Sequence, residues 1–293
     1  MDAFLQLSFD LGPLDAQAVE DVCFGQGASA VTFVDAQDHP VLEPLPGEFR
    51  LWPATRVQAL FAPGTRPRET ANSLSAALSL PPSAVESRWI EDRAWEREWL
   101  RDFHAMRFGR RLWICPHHEE VTAHDAAIVR LDPGLAFGTG THPTTALCLT
   151  WLDSEVAGGD RVIDFGCGSG VLALAAVKLG AQAAHCFDID PQALLATREN
   201  AGSNDMLSCI HIHDCAQTLP TGVDVLVANI LSGPLCELAE RFSSLVRPGG
   251  RILLAGLLAA EGAEVTQAYN AWFDMRSCAE REGWVSLAGK RRT

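Results

Sequence analysis

Residues 162–170 read VIDFGCGSG. A short apolar strand ends here in a turn with three glycines, and the helix-forming stretch VLALAAVKLG follows at 171–180. In doubly wound α/β proteins, a turn of this kind lies at the carboxyl end of a strand, where nucleotide cofactors bind. The stretch therefore predicts an α/β fold. It leaves open a dinucleotide, a nucleoside triphosphate and a nucleoside without phosphate as the cofactor.

The chain after Val162 repeats the alternation of strand and helix. The predicted strands are RVID, AAHCFDI, CIHIH, DVLVANI and RILLAG. Helices are predicted after RVID and AAHCFDI, and a helix that ends at Val246 is predicted after DVLVANI, followed by Pro-Gly-Gly and RILLAG. Such alternation predicts a mostly parallel sheet with right-handed crossovers and helices on both faces. The last segment, 275–291, looks like two strands joined by the turn EREG, which predicts an antiparallel last strand added to that sheet.

The spacing of the glycines favours neither of the cofactors that contain phosphate. Gly166, Gly168 and Gly170 give G-x-G-x-G, whereas the dinucleotide fingerprint G-x-G-x-x-G needs a glycine where this chain has Val171. A triphosphate loop needs Gly-Lys followed by Ser or Thr, and this turn contains no lysine.

Three aspartates distinguish the cofactors by charge. Asp164 ends the first strand, and Asp188 and Asp190 end the second. A carboxylate beside a pyrophosphate costs on the order of 1 kcal/mol or more in repulsion, whereas carboxylates stabilise the sulfonium and ammonium groups of S-adenosylmethionine. Asp188 is placed to accept both ribose hydroxyls, and Asp190 with Pro191 forms a good helix start. The sequence therefore predicts S-adenosylmethionine as the cofactor.

Residues 1–105 predict a separate, small α+β domain. Strand-like and helix-like pieces follow one another in the order βαββαβ, and prolines and glycines divide them into short elements. We expect residues 106–124 to form a linker and residues 125–293 to form the cofactor-binding domain. A helix that leads out of the first domain carries four apolar residues on one face, predicted to pack between the domains: Trp95, Trp99, Phe103 and Met106.

Four stretches of the chain resemble one family of enzymes. The stretches at 162–181 and 187–194 resemble class I S-adenosylmethionine-dependent methyltransferases in general. The stretches at 131–149 and 227–235 narrow the resemblance to the bacterial PrmA methyltransferases, which modify large-subunit ribosomal protein 11. The two-domain layout extends this resemblance over essentially the whole chain. In chain order, the stretches are LDPGLAFGTGTHPTTALCL (131–149), VIDFGCGSGVLALAAVKLGA (162–181), FDIDPQAL (187–194) and VANILSGPL (227–235).

The resemblance implies a fold, a reaction and a set of site residues. The fold is the Rossmann-like sheet of class I methyltransferases, preceded by a ferredoxin-like domain that recognises the substrate. The reaction is trimethylation of the α-amine and of lysine side chains on the ribosomal protein. The implied cofactor contacts are Thr145, Gly166, Asp188 and Asn229. Asn229 is also our candidate catalytic residue, because it is implied to face the substrate amine and to orient it through the carbonyl oxygen.

Two other stretches have alternative interpretations. CIHIHDC at 209–215 places two cysteines and two histidines on one face of a strand. They would span roughly 20 Å, so that one tetrahedral ion could reach at most two neighbours, and we expect no metal site. FGTGTHPTT at 137–145 is interpreted as a loop that covers the cofactor, with Thr145 facing the ligand and Thr141 as the N-cap of the next helix.

The composition of the chain limits which classes of partner are expected. It has 293 residues, 47% of them hydrophobic, and a formal net charge of −14. This charge argues against a broad basic face for nucleic acid and suits a basic ribosomal protein, while acidity for solubility alone is an equal alternative. The first residues lack the basic start of a secretory signal, and the longest apolar run, 252–260, is too short for a bilayer. We therefore expect a cytoplasmic protein without a membrane partner.

Two alternatives to a ribosomal protein methyltransferase remain at this stage. One is a class I methyltransferase for another translation protein or for a small molecule. The other is a cofactor-binding module without catalysis, which acts as a binding partner through its first domain.

Overall fold

The computed structural model describes residues 3–37, 51–91, 103–132, 138 and 140–293. It divides the chain into two compact units, Met1–Glu98 and Trp99–Thr293. Most of the predicted helix with the apolar stripe lies outside the described residues, and so does part of the FGTGTHPTT stretch. Where the helix prediction can be compared it is wrong, because Phe103 lies in no helix and Met106 begins a strand. None of the helices in the described ranges is long and apolar enough to cross a bilayer.

Within its described residues, the first unit is a four-stranded antiparallel sheet with two α-helices. The strand order β2-β3-β1-β4 confirms the expected ferredoxin-like arrangement. Alternate residues of β1, namely Leu5, Leu7 and Phe9, are buried in a core that also contains Val19 and Leu74 of the two helices. The elements in chain order are β1 (Ala3–Asp10), α1 (Ala16–Gly25), β2 (Ala28–Asp35), β3 (Thr55–Phe61), α2 (Pro67–Ala77) and β4 (Glu86–Glu91).

The second unit alternates strands and helices from residue 161 onward, as the sequence predicts for the chain after Val162. Its strands are β5 (Met106–Phe108), β6 (Leu112–Cys115), β7 (Ala127–Arg130), β8 (Arg161–Phe165), β9 (Ala183–Phe187), β10 (Ile210–His213), β11 (Val223–Asn229), β12 (Val246–Leu258), β13 (Phe273–Arg281) and β14 (Trp284–Arg291). Its helices are α3 (Pro143–Glu155), α4 (Val171–Leu179), α5 (Pro191–Ser203), α6 (Ser232–Glu237), α7 (Ala239–Leu245) and α8 (Gly262–Tyr269).

A seven-stranded sheet in the order β10-β9-β8-β11-β12-β14-β13 forms the centre of this unit. The first five strands of that order are parallel, and β14 is antiparallel to both of its neighbours. This confirms the predicted mostly parallel sheet with an antiparallel last strand. Val162 and Ile163 of β8 belong to two different cores, so both faces of the sheet are covered.

The strand order reverses beside β8. The chain passes from β8 to β9 and β10 on one side and then returns to β11 on the other. The carboxyl ends of β8 and β11 therefore flank a topological switch point, where ligands bind in sheets of this kind. Gly166 directly follows β8, and Asn229 is the last residue of β11.

The segment 106–124, expected to be a linker that contains a short strand at LWICP, contributes two strands to the second unit, and β6 confirms the predicted strand. β5 and β6 are antiparallel, and β6 runs parallel to β7 in a three-stranded sheet. The carboxylate of Asp153 on α3 accepts hydrogen bonds from the backbone N–H groups of Arg110, Arg111 and Leu112 at 2.6, 3.2 and 3.1 Å. Because these pairings fix the segment to the cofactor-binding unit, the observed boundary lies between residues 98 and 99 rather than after residue 105.

The chain between β11 and β12 also differs from its prediction. The sequence predicts one helix that ends at Val246, whereas the structure has two short helices, α6 and α7, that meet at Leu238. The Pro-Gly-Gly stretch at 248–250 lies inside the long strand β12 rather than before it.

Candidate active site

The glycine turn between β8 and α4 needs backbone conformations that only glycine adopts without strain. Gly166, Gly168 and Gly170 have φ angles of 78°, 54° and 77°. A Cβ atom on Gly166 would also lie 2.4 Å from Cγ2 of Ile230, in the segment that follows β11. The turn therefore presents bare backbone at the switch point.

Asp188 fastens this turn to the end of β9. Its Oδ2 accepts a hydrogen bond from the N–H of Gly168 at 2.9 Å, and its Oδ1 accepts one from the N–H of Asp190 at 3.0 Å. Asp190 itself is the N-cap of α5 and accepts from the N–H of Gln192 at 2.9 Å, as the sequence predicts. The half-buried Asp188 carboxylate is thus held beside the turn and still has lone pairs for further donors.

Asp164 is a fully buried acid beneath the turn. Its Oδ2 accepts a hydrogen bond from the N–H of Ala173 at 3.0 Å, but its Oδ1 has no partner among the described residues. Burial raises the pKa of this carboxyl to about 7; the hydrogen bond from Ala173 opposes the shift, and the charge of Asp188 adds to it. An unpartnered carboxylate oxygen at this depth is costly unless a cation or a proton accompanies it.

The structure brings two of the predicted site residues together. Nδ2 of Asn229 donates a long hydrogen bond of 3.4 Å to Oγ1 of Thr145, which is almost fully buried on α3. The contact uses the amide nitrogen of Asn229 and leaves its carbonyl oxygen to accept from another group. Asn229 and Gly166 lie at the carboxyl ends of neighbouring strands, and Asp188 follows β9 on the other side of β8.

The helix that carries Thr145 starts at Pro143, but its N-cap lies one residue later than predicted. The N-cap of α3 is His142 rather than Thr141, and its Nδ1 accepts a hydrogen bond from the N–H of Thr144 at 3.3 Å. The His142 ring also lies edge-on against Trp284 of β14, with ring centroids 5.1 Å apart. Thr145 consequently lies in the first turn of α3.

Two residues that hold the turn give no signal in the sequence. Thr197 of α5 is fully buried, and its hydroxyl donates a hydrogen bond to the carbonyl oxygen of Gly168 at 3.0 Å. Ser169 donates to the carbonyl oxygen of Gly138 at 2.7 Å, which connects the glycine turn to the FGTGTHPTT stretch. Their partners lie about 30 residues away, and no local pattern marks such contacts.

Three histidines lie at the β9–β10 edge of the sheet: His211 and His213 of the stretch considered above as a metal site, and His185 on β9. Nδ1 of His185 is 3.0 Å from Nε2 of His213, and the two ring centroids are 5.3 Å apart. The centroid separation exceeds the N···N distance by about two ring radii, which means that both nitrogens lie on the line between the rings. They therefore face each other, as in a hydrogen bond, rather than a shared ion. Burial, together with His211 and His213, lowers the pKa of His185 to about 4. The part of the chain that the structure describes contains no group of three or more side chains arranged to hold a metal.

The sequence of the whole chain matches one protein family. The model of the family described as ribosomal protein L11 methyltransferase (PrmA) matches residues 3–292, which include both units. The chain belongs to this family.

Individual relatives agree with the family match. A ribosomal protein L11 methyltransferase of Pseudomonas aeruginosa is 49% identical over 294 residues, which cover 99% of both chains. One from Pasteurella multocida is 48% identical over 291 residues, which cover 98% of this chain and 99% of the relative. The crystal structure of a ribosomal protein L11 methylase from Lactobacillus delbrueckii subsp. bulgaricus superposes with a TM-score of 0.60 at 31% identity, covering 65% of this chain and 100% of that one.

As expected for this methyltransferase family, the groups at the switch point suit a nucleoside with cationic groups. The glycine turn leaves room for close approach of a ligand to the backbone, and Asp188 offers acceptors for a diol. The positive charge of such a ligand would stabilise the unpartnered oxygen of Asp164, whereas a pyrophosphate would be repelled by it. The residues present therefore fit S-adenosylmethionine.

Proposed function

We propose that this protein transfers methyl groups from S-adenosylmethionine to the α-amine and to lysine side chains of ribosomal protein L11. The observation that carries the proposal is the family match over residues 3–292, which spans both the cofactor site and the first unit. A methyltransferase for another substrate and a module without catalysis are less well supported, because the relatives are named for L11 methylation. The cytoplasm, where L11 is made and assembled, is the proposed place of action.

The proposed cofactor contacts are Thr145, Gly166, Asp188 and Asn229. Gly166 lets the cofactor approach the backbone of the turn, and Asp188 accepts the ribose hydroxyls while it holds Gly168 in place. Asp164 lies beneath the same turn and balances the positive charge of the methionine part. The bound cofactor supplies a methyl group on a sulfonium, which is activated for direct transfer.

The chain's own residues then position the amine and keep water out. A lysine amine with an ordinary pKa of about 10.4 must lose a proton to solvent water before the cofactor-bound site closes around it, and desolvation beside positive charge lowers that pKa. Thr145 holds the amide nitrogen of Asn229 at 3.4 Å, so the Asn229 carbonyl oxygen is oriented to accept from the amine N–H. Most of the catalytic effect is then alignment of the amine with the methyl group.

The first unit is proposed to recognise L11. It has its own core and fold, and the glycine turn, Asp188, Thr145 and Asn229 all lie in the second unit. The formal charge of −14 suits a basic protein partner and disfavours a nucleic-acid face.

Replacing Asp188 by alanine is expected to weaken S-adenosylmethionine binding by about 1.5 to 3 kcal/mol, the range for hydrogen bonds to a charged group. Isothermal titration calorimetry measures the change. Asp188→Asn is the matched control, because it keeps an acceptor for the Gly168 N–H but loses the charge, and a smaller loss is expected. NAD should show no micromolar binding to the wild-type protein. An unchanged dissociation constant in Asp188→Ala would show that Asp188 only stabilises the turn and does not bind the cofactor.

Cofactor affinity is expected to fall as the pH decreases through 7. Asp164 has a pKa raised to about 7 in the free protein, and a cationic ligand favours its ionised form, so binding at lower pH must expel a proton. Between pH 7.5 and pH 6 the dissociation constant should rise by roughly tenfold, the limit being about tenfold per pH unit. Asp164→Asn keeps the acceptor for Ala173 and should bind more weakly with little pH dependence. A wild-type dissociation constant that is equal at both pH values would show that Asp164 does not contribute to cofactor binding.

The direct test of the activity is label transfer. The protein is incubated with methyl-labelled S-adenosylmethionine and a ribosomal fraction, and the labelled band is identified by mass spectrometry. Label in L11 is expected, and label confined to another protein would assign the enzyme to that substrate.

A further inference from the structure

The segment that follows Asn229 is fixed by its neighbour strand. The N–H of Ile230 donates a hydrogen bond to the carbonyl oxygen of Ala255 at 3.1 Å. Gly256 has a φ of 85°, and a Cβ atom there would lie 2.5 Å from the carbonyl oxygen of Ile230. The backbone at Ile230 therefore lies directly against β12, with no room for a side chain between them.

A second attachment comes from the carboxylate of Glu261, just beyond β12. Its Oε1 accepts a hydrogen bond from the hydroxyl of Ser232 at 2.6 Å, and its Oε2 accepts one from the N–H of Leu258 at 2.7 Å. One half-buried carboxylate thus joins the segment after β11 to the end of β12. Hydrogen bonds to an ionised acceptor are the stronger kind.

Glu261 also compensates for a weak helix start. Leu231 is the N-cap of α6 and its side chain provides no capping hydrogen bond. The Glu261 carboxylate lies at the first residue of this short helix, where negative charge is favourable. Without it, the start of α6 has no side-chain anchor among the described residues.

These attachments fix both ends of the short segment between Asn229 and Ser232. Asn229 is held by Thr145 on one side, and Ser232 is held by Glu261 on the other. Between them the Leu231 side chain is 48% exposed, although leucine is usually buried. The three residues 230–232 are too few to move freely when both ends are fixed.

We infer that Glu261 is a positioning residue for methyl transfer, which acts through Ser232 to hold Asn229 and Leu231 against the substrate amine. Glu261 does not contact the reacting atoms. The inference rests on the proposed function, since it concerns the amine side of the same site. It assigns Glu261 no part in cofactor binding, because the glycine turn and Asp188 lie on the other side of β11.

The test uses full-length variants and measures kcat for L11 methylation, the dissociation constant of S-adenosylmethionine and the melting temperature. Glu261→Ala and Ser232→Ala should each lower kcat by about tenfold or more, because small displacements of a reacting geometry are costly. The cofactor dissociation constant should stay within about twofold of wild type. Glu261→Gln can keep both hydrogen bonds and should restore much of kcat. Glu264→Ala, an exposed glutamate three residues further on, is the control and should match wild type.

The double variant Glu261→Ala, Ser232→Ala should be no slower than the slower single variant, because both changes break the same contact. Wild-type kcat in both single variants would overturn the inference, as would equal losses in kcat, cofactor affinity and melting temperature. If Glu261→Ala does not fold, Ser232→Ala alone decides, since it leaves the Leu258 contact intact. A wild-type protein that leaves L11 unmethylated overturns the proposed function and this inference together, whereas unaffected variants of an active wild type overturn this inference alone.

Discussion

Replacing Asn229 by alanine is expected to lower kcat for L11 methylation by about 100-fold, or about 2.7 kcal/mol. The dissociation constant of S-adenosylmethionine should change by less than about threefold, because the carbonyl oxygen of Asn229 is proposed to act on the amine in the transition state. Single-turnover methylation with saturating cofactor, combined with calorimetry, separates the two effects.

Two further variants show which atom of Asn229 matters. Asn229→Asp keeps an oxygen acceptor and should retain more activity than Asn229→Ala. Thr145→Val removes the hydroxyl that holds the amide nitrogen and should lower kcat less than Asn229→Ala does. Equal losses of kcat and cofactor affinity in Asn229→Ala would limit this residue to its proposed cofactor contact and exclude a role on the amine, provided that the melting temperature is unchanged.

Removing the first unit is expected to reduce L11 methylation by about 100-fold, since a tethered recognition module raises the effective concentration of its partner by about two to four orders of magnitude. The shortened chain should start at Phe103, which belongs to the core of the second unit. A start near Glu119 would delete β5 and β6 and leave the Asp153 carboxylate without the three N–H groups that it accepts from.

Cofactor binding is the control for this deletion. The second unit contains the glycine turn, Asp188 and Asn229, so the shortened chain should bind S-adenosylmethionine within about threefold of the full chain. Unaltered binding together with full-rate methylation of L11 would show that the first unit does not recognise the substrate.

The parts of the fold that could be predicted depend on short-range patterns. The positive φ angles of the glycine turn need glycine, and Asp190 with Pro191 fixes the start of α5 through neighbouring atoms. Once strands and helices alternate, the handedness of crossovers restricts the sheet to few arrangements. For these reasons the alternation of strands and helices after Val162 and the antiparallel last strand could both be predicted.

The remaining features depend on contacts between distant residues. The strand pairing of the segment 106–124 is decided by β7 and by Asp153, which lies some 40 residues away. His142 replaces Thr141 as the N-cap because a ring nitrogen can accept the N–H that a hydroxyl usually takes. Glu261 gives no local sign that it binds Ser232, since 29 residues separate them.

The most direct test of the central claim is the intact mass of purified L11 after incubation with the full-length protein and S-adenosylmethionine. We expect a series of methyl-sized mass increments on L11, located by peptide fragmentation at its α-amine and at lysine side chains. The series should be absent without the cofactor and strongly slowed with Asn229→Ala. L11 of unchanged mass, with an enzyme that binds the cofactor normally, would contradict the account.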